Sequence, residues 1–190
     1  SEKNIQLDKL GQNSWNTRKN SVKKKIKDLA NSLIAIAAKR EMARTYKMNI
    51  DNIKLQKFAR GFKFNETEDQ ITCLNEVFND LSSAKPMDRL ICGDVGFGKT
   101  EIAIRASFIS SLNNFKVLII VPTTLLANQH YKNFKERFHN YTNVEIITRN
   151  TTKPNKSNIL KKFESNNSNI LIGTHALLSL KFTDTKLGLI

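Results

Sequence analysis

Apolar positions follow two different rhythms along this chain. Val22, Ile26, Leu29, Leu33 and Ile36 recur at steps of three and four, which predicts one long helix from Ser14 to about Tyr46 with no Pro or Gly inside it. Lys23, Lys24, Lys25 and Lys27 cluster near its start. A single narrow stripe on so long a helix is expected to lie against something larger. Residues 1–13 read as irregular chain, and 48–66 as a connector with a short helix at 51–59.

Beyond residue 66 short apolar runs alternate with amphipathic stretches. Helices are expected at 67–83, 99–112, 124–138 and 155–164, with a short one at 175–179. Between them lie the runs Leu90-Ile91-Cys92, Val117 to Val121, Val144 to Ile147 and Ile170-Leu171-Ile172. This alternation predicts βα units and a parallel sheet, an α/β fold flanked by helices. Leu187 to Ile190 reads as a strand just begun. The expected organisation is an irregular end of an upstream domain or linker (1–13), a linker helix and connector (14–60), and an α/β domain (61–190) cut short at its C-terminus.

Composition narrows the class. Hydrophobic content of 39% and charged content of 25% are those of a soluble globular protein. No stretch reaches the roughly 18 apolar residues of a membrane span, and the start lacks the pattern of a signal peptide. Cys73 and Cys92 form neither a disulfide framework nor a metal spacing, so a reducing, cytoplasmic setting is expected. Net charge is +14, and residues 1–60 hold 15 Lys/Arg against 5 Asp/Glu while the rest hold 16 against 12. The excess therefore sits outside the α/β region, as a solvated helix face or as a surface for a polyanion.

The chemistry concentrates in one loop. Gly93-Asp94-Val95-Gly96-Phe97-Gly98-Lys99-Thr100 fits G-x-x-x-x-G-K-[ST], between an apolar run and an amphipathic helix. Its glycines let backbone N–H groups curl round phosphates without Cβ clashes, and the following helix aims its positive end at them. Lys99 can reach the β- and γ-phosphates, and Thr100 can ligate Mg²⁺. The ligand read from this loop is a nucleoside triphosphate, ATP above others.

Three further segments carry two readings each. Thr67 and Gln70 have the spacing of a capping box; alternatively Gln70 bonds an adenine edge while Phe64 or Phe62 stacks on the ring, and both can hold together. Thr123 and Thr124, after the Val117 run, suit either helix capping or a phosphate contact. Gly173-Thr174-His175 follows the next run with the same ambiguity. His130, His139 and His175 lack metal-ligand spacing.

In this order the segments resemble the first motor domain, RecA-like in fold, of a superfamily 2 helicase or translocase. The glutamine motif corresponds to Thr67–Gln70, motif I to Gly93–Thr100, motif Ia to Pro122–His130 and motif Ic to Gly173–His175. The stretch from Pro86 to Glu101 is similar to the bacterial transcription-repair coupling factor family, with Phe97 where RecG-type helicases carry Ser. Leu10-Gly11, Trp15 and the lysine-rich helix resemble the segment before that family's motor, its relay helix. Departures include Gln12, Ala37, Thr45, Lys63, Glu68 and Asn150.

The resemblance implies an ATP-driven motor on double-stranded DNA that displaces stalled RNA polymerase and recruits excision-repair proteins. By position it implies that Gly93 to Glu101, Gln70 and Phe64 hold ATP and its Mg²⁺. Thr123, Thr124, Arg149, Thr174 and His175 would touch DNA. The family's Asp-Glu pair and second motor domain do not occur in these residues, so this polypeptide alone is expected to bind ATP weakly and hydrolyse it negligibly. A RecG-like fork-remodelling helicase is the enzyme alternative, and a non-catalytic basic nucleic-acid-binding fragment the alternative of another class.

Overall fold

The computed structural model describes residues 13–165, 168–180, 182 and 185–190. The expectation for residues 1–12 lies outside them. The chain divides into two compact units, one running to Thr45 and the other from Tyr46 to Ile190.

In the first unit, helix α1 spans Asn13–Met42. It stops short of the expected Tyr46. The Ala43 N–H is shared between the carbonyls of Lys39 and Arg40, and the Arg44 guanidinium donates to the carbonyls of Glu41 and Ala43. These bonds satisfy acceptors of the last turn, so the helix can end without a glycine. Val22, Ile26, Leu29, Leu33 and Ile36 are all more than half exposed. The predicted stripe therefore exists and stands open to solvent.

The second unit begins earlier than the boundary expected at residue 61. Helix α2 (Asn52–Ala59) is capped by Asp51, whose side chain accepts from the Lys54 N–H. Its Leu55 and Phe58 are buried, with Phe58 stacked on Phe108 at a centroid distance of 4.0 Å. The connector is thus part of the core. Helix α3 (Glu68–Ser82) carries the complete capping box of Thr67 and Gln70, and it buries Gln70, Leu74, Val77 and Leu81 along one face. Helix α4 (Lys99–Leu112) is buried on nearly all sides and ends at Asn113–Asn114, the latter at φ 60°.

The sheet holds β1 (Lys116–Val121), β2 (Val144–Ile147), β3 (Ile170–Thr174) and β4 (Leu187–Leu189), in the order β2-β3-β1-β4. The pairs are parallel, with Val117 opposite Ile170 and Val144 opposite Ile170. Helix α5 (Thr124–Phe138) connects β1 to β2, and α6 (Lys153–Glu164) connects β2 to β3. Residues alternate between two apolar layers, as period-2 strands buried on both faces require. Val117, Val121, Ile170, Ile172 and Val144 join the layer under α3, α4 and α5. Leu118, Leu171 and Ile147 join the layer with Phe163 of α6 and Leu177.

One expected strand is missing. Leu90-Ile91-Cys92 has no regular structure, and Leu90 is 87% exposed. A strand needs a continuous ladder to pair with, and β4 is three residues long with a register break opposite Lys116 and Val117. Of the run, Ile91 lines a cavity of about 250 Å³ together with Val117 to Ile120, Leu189 and Ile190. Ion pairs from Arg89 to Glu76 and Asp80 fasten the run to α3.

Candidate functional site

The glycine loop is shaped by backbone conformations that side chains disfavour. Gly96 has φ 85° and Gly98 φ 76°, both in the left-handed region. At Gly98 a Cβ would also lie 2.6 Å from the Gln70 amide nitrogen, and at Gly93 one would meet the Phe97 ring at 3.1 Å. Gly98 is the N-cap of α4 and offers no side-chain acceptor to the first turn. An anion placed there would receive those N–H groups and the positive end of the helix.

Lys99 is exposed, and its ammonium donates to the carbonyls of Gly93 and Asp94, both at 2.6 Å. It closes the loop on itself and can exchange two neutral acceptors for phosphate oxygens. Thr100 follows on the first turn. Asp94, Val95 and Gly96 are exposed along the loop's outer side.

Gln70 fulfils the capping reading of its spacing. Its amide oxygen accepts the Thr67 N–H at 3.0 Å, and the Gln70 N–H bonds Thr67 Oγ1 at 3.3 Å. Its amide nitrogen donates to the Phe97 carbonyl at 2.6 Å, which ties α3 to the loop. One N–H and one lone pair of the amide remain for a base edge. A cavity of about 390 Å³ adjoins it, lined by Asp69, Gln70, Cys73, Ile91, Cys92, Gly93, Asp94, Phe97 and Ile102. Burial pushes the Cys73 thiol up from its ordinary value.

Val95, Gly96, Gly98, Lys99 and Thr100 are not in the lining of this cavity, and two further candidates, Phe64 and Glu101, are engaged elsewhere. Phe64 is 74% exposed and meets Phe62 edge-on at 5.6 Å rather than lining the wall. Glu101 is 6% exposed and both its carboxylate oxygens are taken by Arg105 and Arg137. It supports the helix behind the loop. The motif spacing placed it next to Thr100 but carried no sign of Arg137, 36 residues away.

The second constellation gathers completely. Thr123, Thr124, Arg149, Thr174 and His175 line one cleft of about 540 Å³, with Pro122 and Leu125. Each lies at or just after the C-terminal end of β1, β2 or β3, where open parallel sheets present their ligand crevices. Thr123 caps α5, its side chain accepting the Leu126 N–H at 3.2 Å, so the capping reading of that residue holds. Thr174 precedes the 3₁₀ turn His175–Ser179 and makes no side-chain cap bond. Gly173 lets these elements close up, since a Cβ there would lie 2.4 Å from the Ile147 carbonyl. Helix α4 runs back from the loop antiparallel to β1 through a three-residue turn, so both constellations open at the same edge of the sheet.

Residues 67–188 match the family model of the DEAD/DEAH box helicases. The chain belongs to that family. Every candidate residue except Phe62 and Phe64 falls inside the matched span. The resemblance read from Pro86 to Glu101 is borne out as well. The chain is 44% identical over 99% of its length to the transcription-repair-coupling factor of Borreliella burgdorferi, covering 17% of that protein. It is 43% identical over its whole length to that of Haemophilus influenzae, again covering 17%. To that of Buchnera aphidicola it is 46% identical over 98%, covering 23%. The chain thus spans about a fifth of the curated relatives it matches. Among solved structures it is similar to RecG bound to a three-way DNA junction, with a TM-score of 0.72, 32% identity, and coverage of 82% of this chain and 21% of that one. A hypothetical ATP-dependent RNA helicase from Sulfolobus tokodaii shares the fold at a TM-score of 0.50 and 21% identity, over 67% of this chain and 35% of that one. The expected RecA-like α/β fold is the fold of these helicases.

Proposed function

We propose that this chain is the ATP-binding part of an ATP-dependent double-stranded DNA translocase that displaces stalled RNA polymerase in transcription-coupled repair. The observation that supports it most is the convergence of Thr123, Thr124, Arg149, Thr174 and His175 on one cleft at the sheet edge that also bears the glycine loop. A small phosphotransferase would need the loop and would have no use for the cleft.

The residues fit Mg-ATP. The loop N–H groups and the start of α4 receive the phosphates, and Lys99 turns from the Gly93 and Asp94 carbonyls to the β- and γ-phosphate oxygens. Thr100 supplies a hydroxyl for Mg²⁺, and Gln70 offers its free N–H and lone pair to adenine. Bound Mg-ATP supplies the phosphoryl group whose transfer to water drives the motor. In the cleft, hydroxyls and one guanidinium reach the DNA backbone, a contact that specifies position and not sequence.

A RecG-like fork remodeller is the second reading, favoured by the structural similarity to RecG. Identity to the coupling factors is higher and covers nearly the whole chain, so the first reading stands ahead. Titration of the 190-residue chain with Mg-ADP and with a short DNA duplex tests the proposal. Nucleotide binding that weakens roughly 10- to 100-fold in Lys99→Ala, with duplex binding that weakens steeply with salt and responds to Mg-ADP, is the expected result. Duplex binding indifferent to both nucleotide and Lys99→Ala would leave a basic binding module instead.

A further inference from the structure

Behind the phosphate loop four charged side chains form one connected series. Glu101 follows Thr100 directly. Its Oε1 accepts from Arg105 Nε at 2.8 Å and from Arg137 Nη2 at 3.1 Å, and its Oε2 accepts from Arg137 Nη1 at 2.9 Å. Arg105 then extends Nη2 to Oε1 of Glu66, the residue directly before Thr67. The guanidinium beside it holds the Glu66 carboxyl below the usual carboxylate range. At the other end Arg137 donates to the Phe58 carbonyl at 3.2 Å and lies 4.8 Å over the Phe58 ring.

Arg105 is therefore the side chain that joins the two flanks of the site. On one side is the helix that begins with Lys99 and Thr100. On the other is the segment that carries Thr67 and Gln70, whose second tie to the loop is the Gln70 bond to the Phe97 carbonyl. Buried ion pairs are weak contributors to stability, because desolvation offsets their attraction; their best-attested use is to fix register. The Glu66 end is the more exposed one, at 31% of its side chain, so its bond adds little to folding. It does fix where Thr67 and Gln70 stand relative to Gly93–Thr100.

We propose that Arg105 is a positioning residue for base recognition: through Glu66 it holds the Thr67–Gln70 segment in register with the phosphate loop, so that one nucleotide is gripped at both base and phosphates. This rests on the reading of the loop as an ATP site. It assigns no contact between Arg105 and the nucleotide. A purely structural Arg105 would change all ligands of the loop together, whereas a positioning Arg105 changes only those with a base.

The test is calorimetric titration of the 190-residue chain with Mg-ADP, Mg-GDP and pyrophosphate, in wild type, Glu66→Gln and Arg105→Lys. Glu66→Gln removes the charge at the exposed end and leaves the Glu101 pairs in place, so it folds even if changes at Arg105 do not. Its Mg-ADP affinity is expected to fall about tenfold, the scale of one charge-assisted hydrogen bond. Pyrophosphate affinity stays unchanged, and the preference for ADP over GDP shrinks. Arg105→Lys falls between wild type and Glu66→Gln. Equal losses for ADP and pyrophosphate, or no loss for either, would overturn the positioning role. Wild type that binds pyrophosphate as tightly as ADP would overturn it too while leaving the phosphate site intact. Wild type that binds none of the three would overturn the ATP reading beneath it.

Discussion

Two lysines at opposite ends of the same sheet make the same kind of bonds. Lys99, at the C-terminal edge, donates to two backbone carbonyls at 2.6 Å and is exposed. Lys116, at the N-terminal edge, donates to the Ser168 carbonyl at 2.8 Å and to Asn169 Oδ1 at 3.1 Å and is 2% exposed. Both hold neutral oxygens and neither touches a carboxylate in these bonds. The difference is access. Lys99 can exchange its carbonyls for phosphate because water and ligand reach it, and because the left-handed glycines leave room. Lys116 is sealed by Phe163, whose ring lies 5.4 Å from its ammonium, and burial lowers its pKa. On the function proposed above, similar ligation to neutral oxygens serves binding at one end of the sheet and architecture at the other.

The strongest way to break this comparison is to remove the exposed lysine. Lys99→Ala deletes two bonds that cost little to lose when unliganded, so stability is expected to stay within about 0.5 kcal/mol. Nucleotide affinity should fall roughly 10- to 100-fold, since charge-assisted bonds to phosphate contribute about 1.5–3 kcal/mol. Calorimetry with Mg-ADP alongside urea unfolding measures both. A large loss of stability would show Lys99 to be architectural after all.

Gly98→Ala attacks the room around Lys99 instead. The added Cβ meets the Gln70 amide nitrogen at 2.6 Å on a backbone at φ 76°. A left-handed alanine costs about 1–2 kcal/mol. Unfolding free energy should drop by that amount, and the Gln70 bond to the Phe97 carbonyl should be displaced. Unchanged unfolding together with unchanged Mg-ADP affinity would mean that the loop relaxes freely.

Much of this arrangement was legible in the sequence, and what was not has a common cause. Helices Lys99–Leu112 and Thr124–Phe138 and strand Val144–Ile147 appear at the expected residues, because caps and periodicity are local signals. Four of the five cleft residues lie in motifs, and Arg149 follows only from the family resemblance. Their meeting depends on the strand order β2-β3-β1, which no local pattern encodes. Leu90-Ile91-Cys92 departs from the expected strand because an apolar run specifies neither a pairing partner nor burial. Glu66 and Arg105 are 39 residues apart, so their bond left no spacing to read. Leu55 and Phe58 fall in the expected connector, and their burial in the core, with Phe58 stacked on the distant Phe108, leaves no local spacing to read.

Arg149 extends the comparison to a third cation. It is exposed at the cleft and belongs, by access, with Lys99. Arg149→Ala is expected to weaken duplex binding several-fold, to flatten the salt slope by about 1, and to leave sequence preference unchanged, the behaviour of a single phosphate contact. Fluorescence anisotropy across a salt series reads all three. An unchanged slope would exclude Arg149 from the DNA surface.

Lys116→Met should have the smallest effect at neutral pH, and it sharpens the comparison most. The substitution leaves the Ser168 carbonyl and Asn169 Oδ1 without their donor, a cost of about 1–3 kcal/mol. It also removes the cost of burying a charge, which is of similar size and opposite sign. The two nearly cancel at pH 7, and nucleotide and DNA binding stay unchanged. They separate as pH rises. The folded-state pKa of Lys116 is lowered, so between that value and the unfolded value near ~10.4 the unfolded chain binds more protons than the folded one. Wild-type stability therefore climbs through that window relative to Lys116→Met, and it declines again as pH falls back. The exposed lysines titrate in both proteins and drop out of the difference. Urea unfolding at pH 7, 8.5 and 10 should show the gap widening in favour of wild type. A gap independent of pH would mean that the neutral oxygens around Lys116 solvate its charge as well as water does, and the distinction between the two lysines would then lie in reach alone and not in the state of the charge.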